Sequence, residues 1–170
     1  MWRFGGWLLA IELFWSPSVG SSAVEIPQHC RVPNKSADRC GWCAVETLAR
    51  YHQIDPLHGL AERNASRASA GDLQAALDEA GVDYRLQDAG NRDTFILRYA
   101  IRENLGAIVG FAERSRGAGG HIVTLVDYGP GGVQIIDSND DDGRVRTMSL
   151  ERFLSWWDGF VLVIDPQEEE

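Results

Sequence analysis

The sequence lacks the basic excess that nucleic-acid-binding proteins usually carry. Its 16 Lys and Arg residues are outnumbered by 25 Asp and Glu residues, which gives a formal net charge of −9. An acidic surface repels phosphate, so we expect no nucleic acid partner. Internal repeats are missing too, and the short acidic runs 140–142 and 168–170 are expected on the solvated surface.

A long apolar run is also missing. The apolar stretch 7–15 follows Arg3, is interrupted by Glu12 and is shorter than the about 20 residues of a membrane span. With small residues at Ser21 and Ala23, residues 1–23 are typical of a signal peptide cleaved after Ala23. We therefore expect a secreted or periplasmic protein with one monomeric mature domain, residues 24–170. A non-cleaved membrane anchor is the alternative.

Cysteine is scarce, and the three residues, Cys30, Cys40 and Cys43, lie close together near the start of the expected domain. In an oxidising compartment two of them can form a disulfide, which leaves one free thiol. The alternative is three small buried thiols, because free cysteine is commonly buried.

The spacing of apolar residues predicts helices in the first two thirds of the chain. One begins near Trp42, with Cys40 and Cys43 in its first turn and Glu46 and Thr47 on its polar side. A second spans about 72–80 and is ended by Gly81. A strand at 82–86 follows, and then a helix capped by Thr94.

Short apolar runs predict strands in the last third, at 107–111, 121–127, 133–137 and 160–164. Ser149 is expected to cap a helix before the last of them. Trp156, Trp157 and Phe160 are expected in the core. Helices followed by an antiparallel sheet predict an α+β fold.

A thiol in the first turn of a helix is a candidate nucleophile, because unpaired N–H groups there stabilise a thiolate. Cys40 and Cys43 both qualify. Of the four histidines, His121 is the best candidate base, since it starts a strand after the glycine-rich stretch 117–120, which leaves room for a substrate.

A third polar group should orient the histidine. Asp137 ends the strand that follows the strand of His121, and the two strands are expected to form an antiparallel hairpin. The first residue of one strand then lies beside the last residue of the next, so His121 and Asp137 are expected neighbours. Asn139 is the reserve orienting residue.

Three segments resemble the bacteriocin-processing cysteine peptidases that cut after double-glycine leaders. One is 39–52, Arg-Cys-Gly-Trp-Cys-Ala-Val-Glu-Thr-Leu-Ala-Arg-Tyr-His, and the others are the strands at 121–126 and 133–137. The resemblance covers roughly residues 32–164. It implies a papain-like fold, a peptide or protein substrate, no metal or organic cofactor, and Cys40, His121 and Asp137 as catalytic residues.

The chain departs from that family at two places. The family has Gln six residues before the nucleophile, whereas this chain has Asn34, whose amide could stabilise an oxyanion in the same way. The family's Pro-Ala is replaced by Trp42-Cys43, which is similar to the papain pattern in which the second cysteine attacks. With Cys40 as nucleophile the resemblance implies a Cys30–Cys43 disulfide, and with Cys43 it implies Cys30–Cys40.

Three other interpretations remain open at this stage. Cys40 to Cys43 is a Cys-x-x-Cys motif, as in thiol-disulfide oxidoreductases, although the residues before it do not predict the strand that those enzymes need. His29 with the three cysteines could hold zinc, but the spacing does not match the common zinc motifs. A papain-like domain with an inactive site would bind a ligand without turnover.

Overall fold

The computed structural model describes residues 23–35, 38–112 and 120–166. The expected signal peptide lies outside these residues except for Ala23, as do most of the glycine-rich stretch before His121 and the acidic run 168–170. Two 3-10 turns lie at Gln28–Cys30 and Asp55–Leu57. The helices are α1 Cys40–Tyr51, α2 Leu60–Arg63, α3 Ala70–Glu79, α4 Phe95–Arg102 and α5 Leu150–Trp156. The strands are β1 Tyr84–Gln87, β2 Ala107–Phe111, β3 His121–Gly129, β4 Gly132–Ile136, β5 Val145–Met148 and β6 Trp157–Ile164.

The six strands within the described residues form one antiparallel sheet in the order β1-β6-β2-β3-β4-β5. The α1 helix packs against β3 in the middle of the sheet. The predicted α+β class is confirmed, as is the papain-like arrangement of a cysteine-bearing helix on an antiparallel sheet. Strand β5 was not predicted, because it lies at the sheet edge and is only half buried.

The α1 helix is buried on all sides over residues 40–49. The prediction that Glu46 and Thr47 lie on a polar side of the helix, away from the core, is therefore wrong. Thr47 Oγ1 accepts a hydrogen bond from the Val32 N–H over 3.0 Å. Glu46 is 1% exposed and accepts from the backbone N–H groups of Gly59 and Ala61. These contacts satisfy buried polar groups and fasten two loops to α1.

The ends of the other helices partly follow the predictions. Gly81 has a φ of +67° after α3, and Ser149 accepts from the Arg152 N–H at the start of α5, so both were correctly predicted. Thr94 occupies the position before α4, but its hydroxyl accepts from Arg98 rather than from a helix N–H. The nearby carboxylate of Asp93 accepts from the Phe95 N–H instead.

The expected core and surface residues also need one correction. Trp157 and Phe160 are buried as predicted. Asp140, expected in a solvated acidic run, is 9% exposed because it forms an ion pair with Arg146 of β5.

In the part of the chain that the structure describes, no helix has both the length and the apolar character needed to cross a membrane.

Candidate active site

Cys40 is the first residue of α1 and is 7% exposed. Its sulfur accepts hydrogen bonds from the backbone N–H groups of Gly41 and of Ile122, the second residue of β3. The first N–H groups of a helix have no partner within the helix, so they favour an anion at this position. The packing of α1 on β3 therefore places the thiol between a helix N-terminus and the start of a central strand.

His121 and Asp137 lie beside one another at the ends of β3 and β4, as the hairpin pattern predicts. His121 Nε2 is 2.8 Å from Asp137 Oδ1, and the side chain of Asp137 is fully buried. The same Oδ1 accepts from the Asn139 N–H over 3.0 Å. Because Nε2 faces Asp137, Nδ1 is left for the hydrogen bond between His121 and Cys40.

Cys40, His121 and Asp137 form a hydrogen-bonded row. Their interactions change the pKa of the Cys40 thiol and of the His121 imidazole. Burial raises the pKa of the Cys40 thiol, but the hydrogen bond and charge of His121 and the two backbone N–H groups outweigh it, so the pKa is lowered. Burial lowers the pKa of His121, but Asp137 and Cys40 outweigh it and raise this pKa to about 9. Both directions favour a thiolate beside an imidazolium, the reactive form of a cysteine nucleophile.

Cys43, the alternative nucleophile, lies in a different environment. It is 1% exposed, and its sulfur contacts the carbonyl oxygen of Pro33 at 3.9 Å. Burial, together with the charges of Glu46 and Cys40, raises the pKa of Cys43 to about 12. Since the thiolate is the nucleophilic form, this environment suits a protonated, unreactive thiol.

Asn34 lies near the carboxylate end of the row. Its N–H donates to the carbonyl oxygen of Ser138 over 2.7 Å, and its Nδ2 donates to Asn139 Oδ1 over 2.8 Å. These bonds hold the segment before α1 against the loop that follows Asp137. Asn139 donates to Asp137 through its backbone N–H, and the side chain that contacts His121 is that of Asp137, the first choice as orienting residue.

Cys40 and His121 open onto a cavity of about 240 Å³. Most of the lining side chains are small or apolar, and Arg67 and Asp158 are the charged ones besides Cys40 and His121. The remaining lining residues are Ala68, Ala70, Ala89, Gly110, Phe111, Gly120, Ile122 and Phe160. Phe160 is thus both a buried core residue and part of the cavity wall. Asn34 does not line this cavity within the described structure.

Gly110 and Asp158 belong to the site but were missed by the sequence interpretation. A Cβ on Gly110 would lie 2.7 Å from Asp158 Oδ1, so the carboxylate lies directly over this glycine. Asp158 Oδ1 also accepts from the Phe160 N–H over 2.8 Å. No local pattern indicates this pair, because the residues meet only where β6 pairs with β2.

No disulfide is present among the described residues, where Cys30, Cys40 and Cys43 are all free and buried. The expected Cys30–Cys43 bond is therefore absent, and the alternative of three buried thiols describes this structure. The sulfur of Cys43 instead faces Pro33 and Ser138. Among the described residues no group of three or more His, Cys, Asp or Glu side chains is arranged to hold a metal ion, and His29 with the cysteines forms no such group.

The fold is similar to solved peptidase domains. A double-glycine-motif protease from an AMS/PCAT transporter, solved with its leader peptide, is 15% identical, with a TM-score of 0.63 over 85% of this chain and 94% of that chain. The peptidase domain of Streptococcus ComA, a bi-functional ABC transporter of a quorum-sensing pathway, is 21% identical, with a TM-score of 0.62 over 80% of this chain and 97% of that chain. These structural similarities show that this chain has the fold of those peptidase domains.

Sequence comparison extends the result from fold to family. No curated protein sequence matches the chain. The sequence model of the peptidase C39 family matches residues 31–169, which include α1 and the whole sheet. This chain therefore belongs to the peptidase C39 family and is a cysteine-type peptidase.

Proposed function

We propose that this protein hydrolyses a peptide bond through a thioester on Cys40, with His121 as acid and base and Asp137 as the orienting residue. The observation that carries the proposal is the continuous row from the Cys40 thiol through the His121 ring to the buried Asp137 carboxylate. A nucleophile, a base and an orienting group held in this order form the common pattern of covalent acyl transfer.

The steps follow from the protonation states that the row favours. The Cys40 thiolate adds to the carbonyl carbon, and the His121 imidazolium gives its proton to the leaving amine, which leaves a thioester. Water then adds to the thioester while His121 takes its proton. Cys40 departs as a thiolate with the release of the acid product, so atoms and charges balance over the cycle.

The oxyanion formed at each addition needs hydrogen-bond donors. The backbone N–H of Gly41, at the start of α1, interacts with the Cys40 sulfur and suits this role. We assign the side-chain amide of Asn34 as a second donor, because Asn34 lies six residues before Cys40 and its backbone N–H is held by the Ser138 carbonyl oxygen, while the amide donates to Asn139. Its amide would then turn from Asn139 toward the substrate oxygen.

For substrate, we propose a peptide with two glycines before the scissile bond. The cavity beside Cys40 is only about 240 Å³, and Ile122, Phe111 and Phe160 form part of its wall. A narrow site accepts a backbone without side chains and excludes larger residues by overlap. The solved relative described as a double-glycine-motif protease, in complex with its leader peptide, supports this choice.

The test is turnover of a fluorogenic Gly-Gly peptide by the protein and by two single variants. Cys40→Ala should abolish turnover and keep peptide affinity, whereas Cys43→Ala should retain turnover. Loss of activity in Cys43→Ala alone would move the nucleophile to position 43. Binding without turnover by the unsubstituted protein would identify an inactive binding domain, and equal rates with Gly-Leu and Gly-Gly peptides would overturn the substrate proposal.

We also propose that residues 1–23 direct export and are removed after Ala23. Val24 is buried, and its N–H donates to the carbonyl oxygen of Val126 in β3 over 2.7 Å. A chain that begins at Val24 would keep this contact. Amino-terminal sequencing of the protein from each cellular fraction tests the proposal: Val24 as first residue in an extracytoplasmic fraction is expected, and an intact Met1 in the membrane fraction would identify an anchor.

A further inference from the structure

Cys40 and Cys43 are two free thiols in the first turn of one helix. Residues three apart in an α-helix lie on the same side. The helix geometry, with a rise of about 1.5 Å per residue, puts their Cα atoms about 5 Å apart. Disulfides usually join Cα atoms about 4.4–6.8 Å apart, so the Cα separation within α1 permits a bond between these residues once the two side chains turn toward one another.

The two thiols are not equivalent in access. Cys40 opens onto the cavity that holds His121, whereas Cys43 lines a separate cavity of about 150 Å³ on the side of Glu46 and Arg39. A soluble oxidant therefore reaches Cys40 first. A reactive, accessible thiolate beside a protected thiol is the arrangement of redox-sensitive cysteine pairs.

We propose that Cys40 and Cys43 form a reversible disulfide that switches the peptidase off when a hydroperoxide is present. The switch rests on the proposed role of Cys40 as nucleophile. Once its sulfur is bonded to Cys43, Cys40 can neither attack a carbonyl nor accept the hydrogen bond from His121. Trp42 lies between the two cysteines, and its Nε1–H donates to the Ser66 carbonyl oxygen over 2.9 Å, which holds the turn in place.

The chemistry balances with the hydroperoxide as oxidant. The Cys40 thiolate attacks the O–O bond, and with one proton from solvent gives a sulfenic acid and an alcohol or water. The Cys43 sulfur then attacks the Cys40 sulfur, the S–O bond breaks, and the Cys43 proton leaves with the hydroxyl as water. A dithiol such as dithiothreitol reduces the bond by exchange and is itself oxidised to a disulfide.

The second step becomes easier after the first. The negative charge of Cys40 is one of the causes that keep the pKa of Cys43 high, after burial and Glu46. Conversion of the Cys40 thiolate to a neutral sulfenic acid removes that charge, so Cys43 can lose its proton more readily. The contact of its sulfur with Pro33, at 3.9 Å, is long and weak enough to be exchanged for the new bond.

The experiment is treatment of the purified protein with hydrogen peroxide, followed by tryptic digestion and mass spectrometry without reduction. Trypsin cuts after Arg39 and Arg50, so one peptide, 40–50, contains both cysteines, while Cys30 falls in another. We expect this peptide to lose two hydrogen atoms and to regain them with dithiothreitol. Activity on the Gly-Gly peptide should disappear and return in parallel.

The variant Cys43→Ala, with Cys30→Ala as the matched buried control, tests the role of the second thiol. Peroxide should inactivate Cys43→Ala irreversibly, because Cys40 without a partner gains two or three oxygen atoms. Cys30→Ala should recover like the unsubstituted protein.

Two outcomes overturn the inference: a Cys40 that stays reduced or oxygenated in the unsubstituted protein, and a bond from Cys40 to Cys30. The mass readout does not depend on turnover. A disulfide that forms in a protein without peptidase activity would therefore refute the proposed function and leave the redox chemistry standing.

Discussion

His121 Nε2 and Asp137 Oδ1 are 2.8 Å apart, in a place where the carboxylate is fully shielded from water. A buried carboxylate is costly unless it is paired, so this contact stabilises the imidazolium strongly and fixes the direction of the ring. The other ring nitrogen is thereby directed at Cys40. Asp137 is thus placed to act on the reaction through His121.

The first prediction concerns Asp137→Asn. An amide cannot stabilise the imidazolium as a carboxylate does, so kcat should fall by about 10²- to 10⁴-fold with a much smaller change in KM. Asn139→Ala is the matched control and should keep most of the activity, since the Asn139 N–H that donates to Asp137 belongs to the backbone and survives the substitution. Equal losses in the two variants would indicate a general disturbance of the loop rather than a role of the carboxylate.

The second prediction concerns pH. Cys40 should react with iodoacetamide as a thiolate at lower pH than an ordinary thiol does, because its pKa is lowered, and His121 should stay protonated up to about pH 9. The rate kcat/KM should fall as the pH drops below the lowered pKa of Cys40, and fall again above about 9 as His121 loses its proton. Both falls in kcat/KM report the coupled titration of the Cys40–His121 pair rather than of either residue alone.

His121→Ala provides the check on that profile. It removes the hydrogen bond and charge that lower the pKa of Cys40 and leaves the burial that raises it. Alkylation of Cys40 at neutral pH should therefore slow, with its midpoint moved to higher pH. A midpoint that does not move would show that the helix N-terminus alone activates the thiol.

The arrangement of Cys40, His121 and Asp137 could be predicted from sequence because the helix and the hairpin that carry them have local signals, whereas the preference for Cys40 over Cys43 came from the family resemblance. The apolar spacing after Cys40 predicts a helix, and the glycine-separated apolar runs that contain His121 and Asp137 predict a hairpin. The hairpin then fixes which residues are neighbours. For this reason His121 and Asp137 could be expected to be neighbours.

Other features depend on distant backbone groups that leave no local signal. The polarity of Glu46 predicts a surface residue, but its side chain is buried, where it accepts hydrogen bonds from the N–H groups of Gly59 and Ala61. The contact of Gly110 with Asp158 likewise arises only when β6 inserts between β1 and β2. Periodicity detects which face of an element is apolar, but it does not detect which polar groups the fold brings together.

The third prediction concerns Asn34. If its amide stabilises the oxyanion, Asn34→Ala should lower kcat by about 10²- to 10³-fold with little change in KM. Asn34→Gln keeps an amide donor and should retain more activity than Asn34→Ala. An unchanged kcat in Asn34→Ala would mean that the residue only ties the segment before α1 to Ser138 and Asn139, and that backbone N–H groups suffice for the oxyanion.

The fourth prediction concerns the buried carboxylate of Glu46 in α1. It is 1% exposed, accepts from Gly59 and Ala61, and forms an ion pair with Arg50, whose side chain is 38% exposed. In Glu46→Ala the Ala61 N–H loses its acceptor in a buried place and the Gly59 N–H loses its acceptor in a part-buried one. Each lost partner costs about 1–3 kcal/mol, so the free energy of unfolding should fall by about 2–6 kcal/mol.

Urea unfolding of Glu46→Ala measures this loss, with Glu62→Ala, an exposed glutamate on α2, as the matched control that should change stability by less than about 0.5 kcal/mol. Glu46→Gln keeps one acceptor oxygen and should fall between the two. The midpoint should shift while the slope of the transition stays constant, because the surface exposed on unfolding is unchanged. A Glu46→Ala variant as stable as Glu62→Ala would show that water replaces the carboxylate and that the loop at 59–61 does not depend on it.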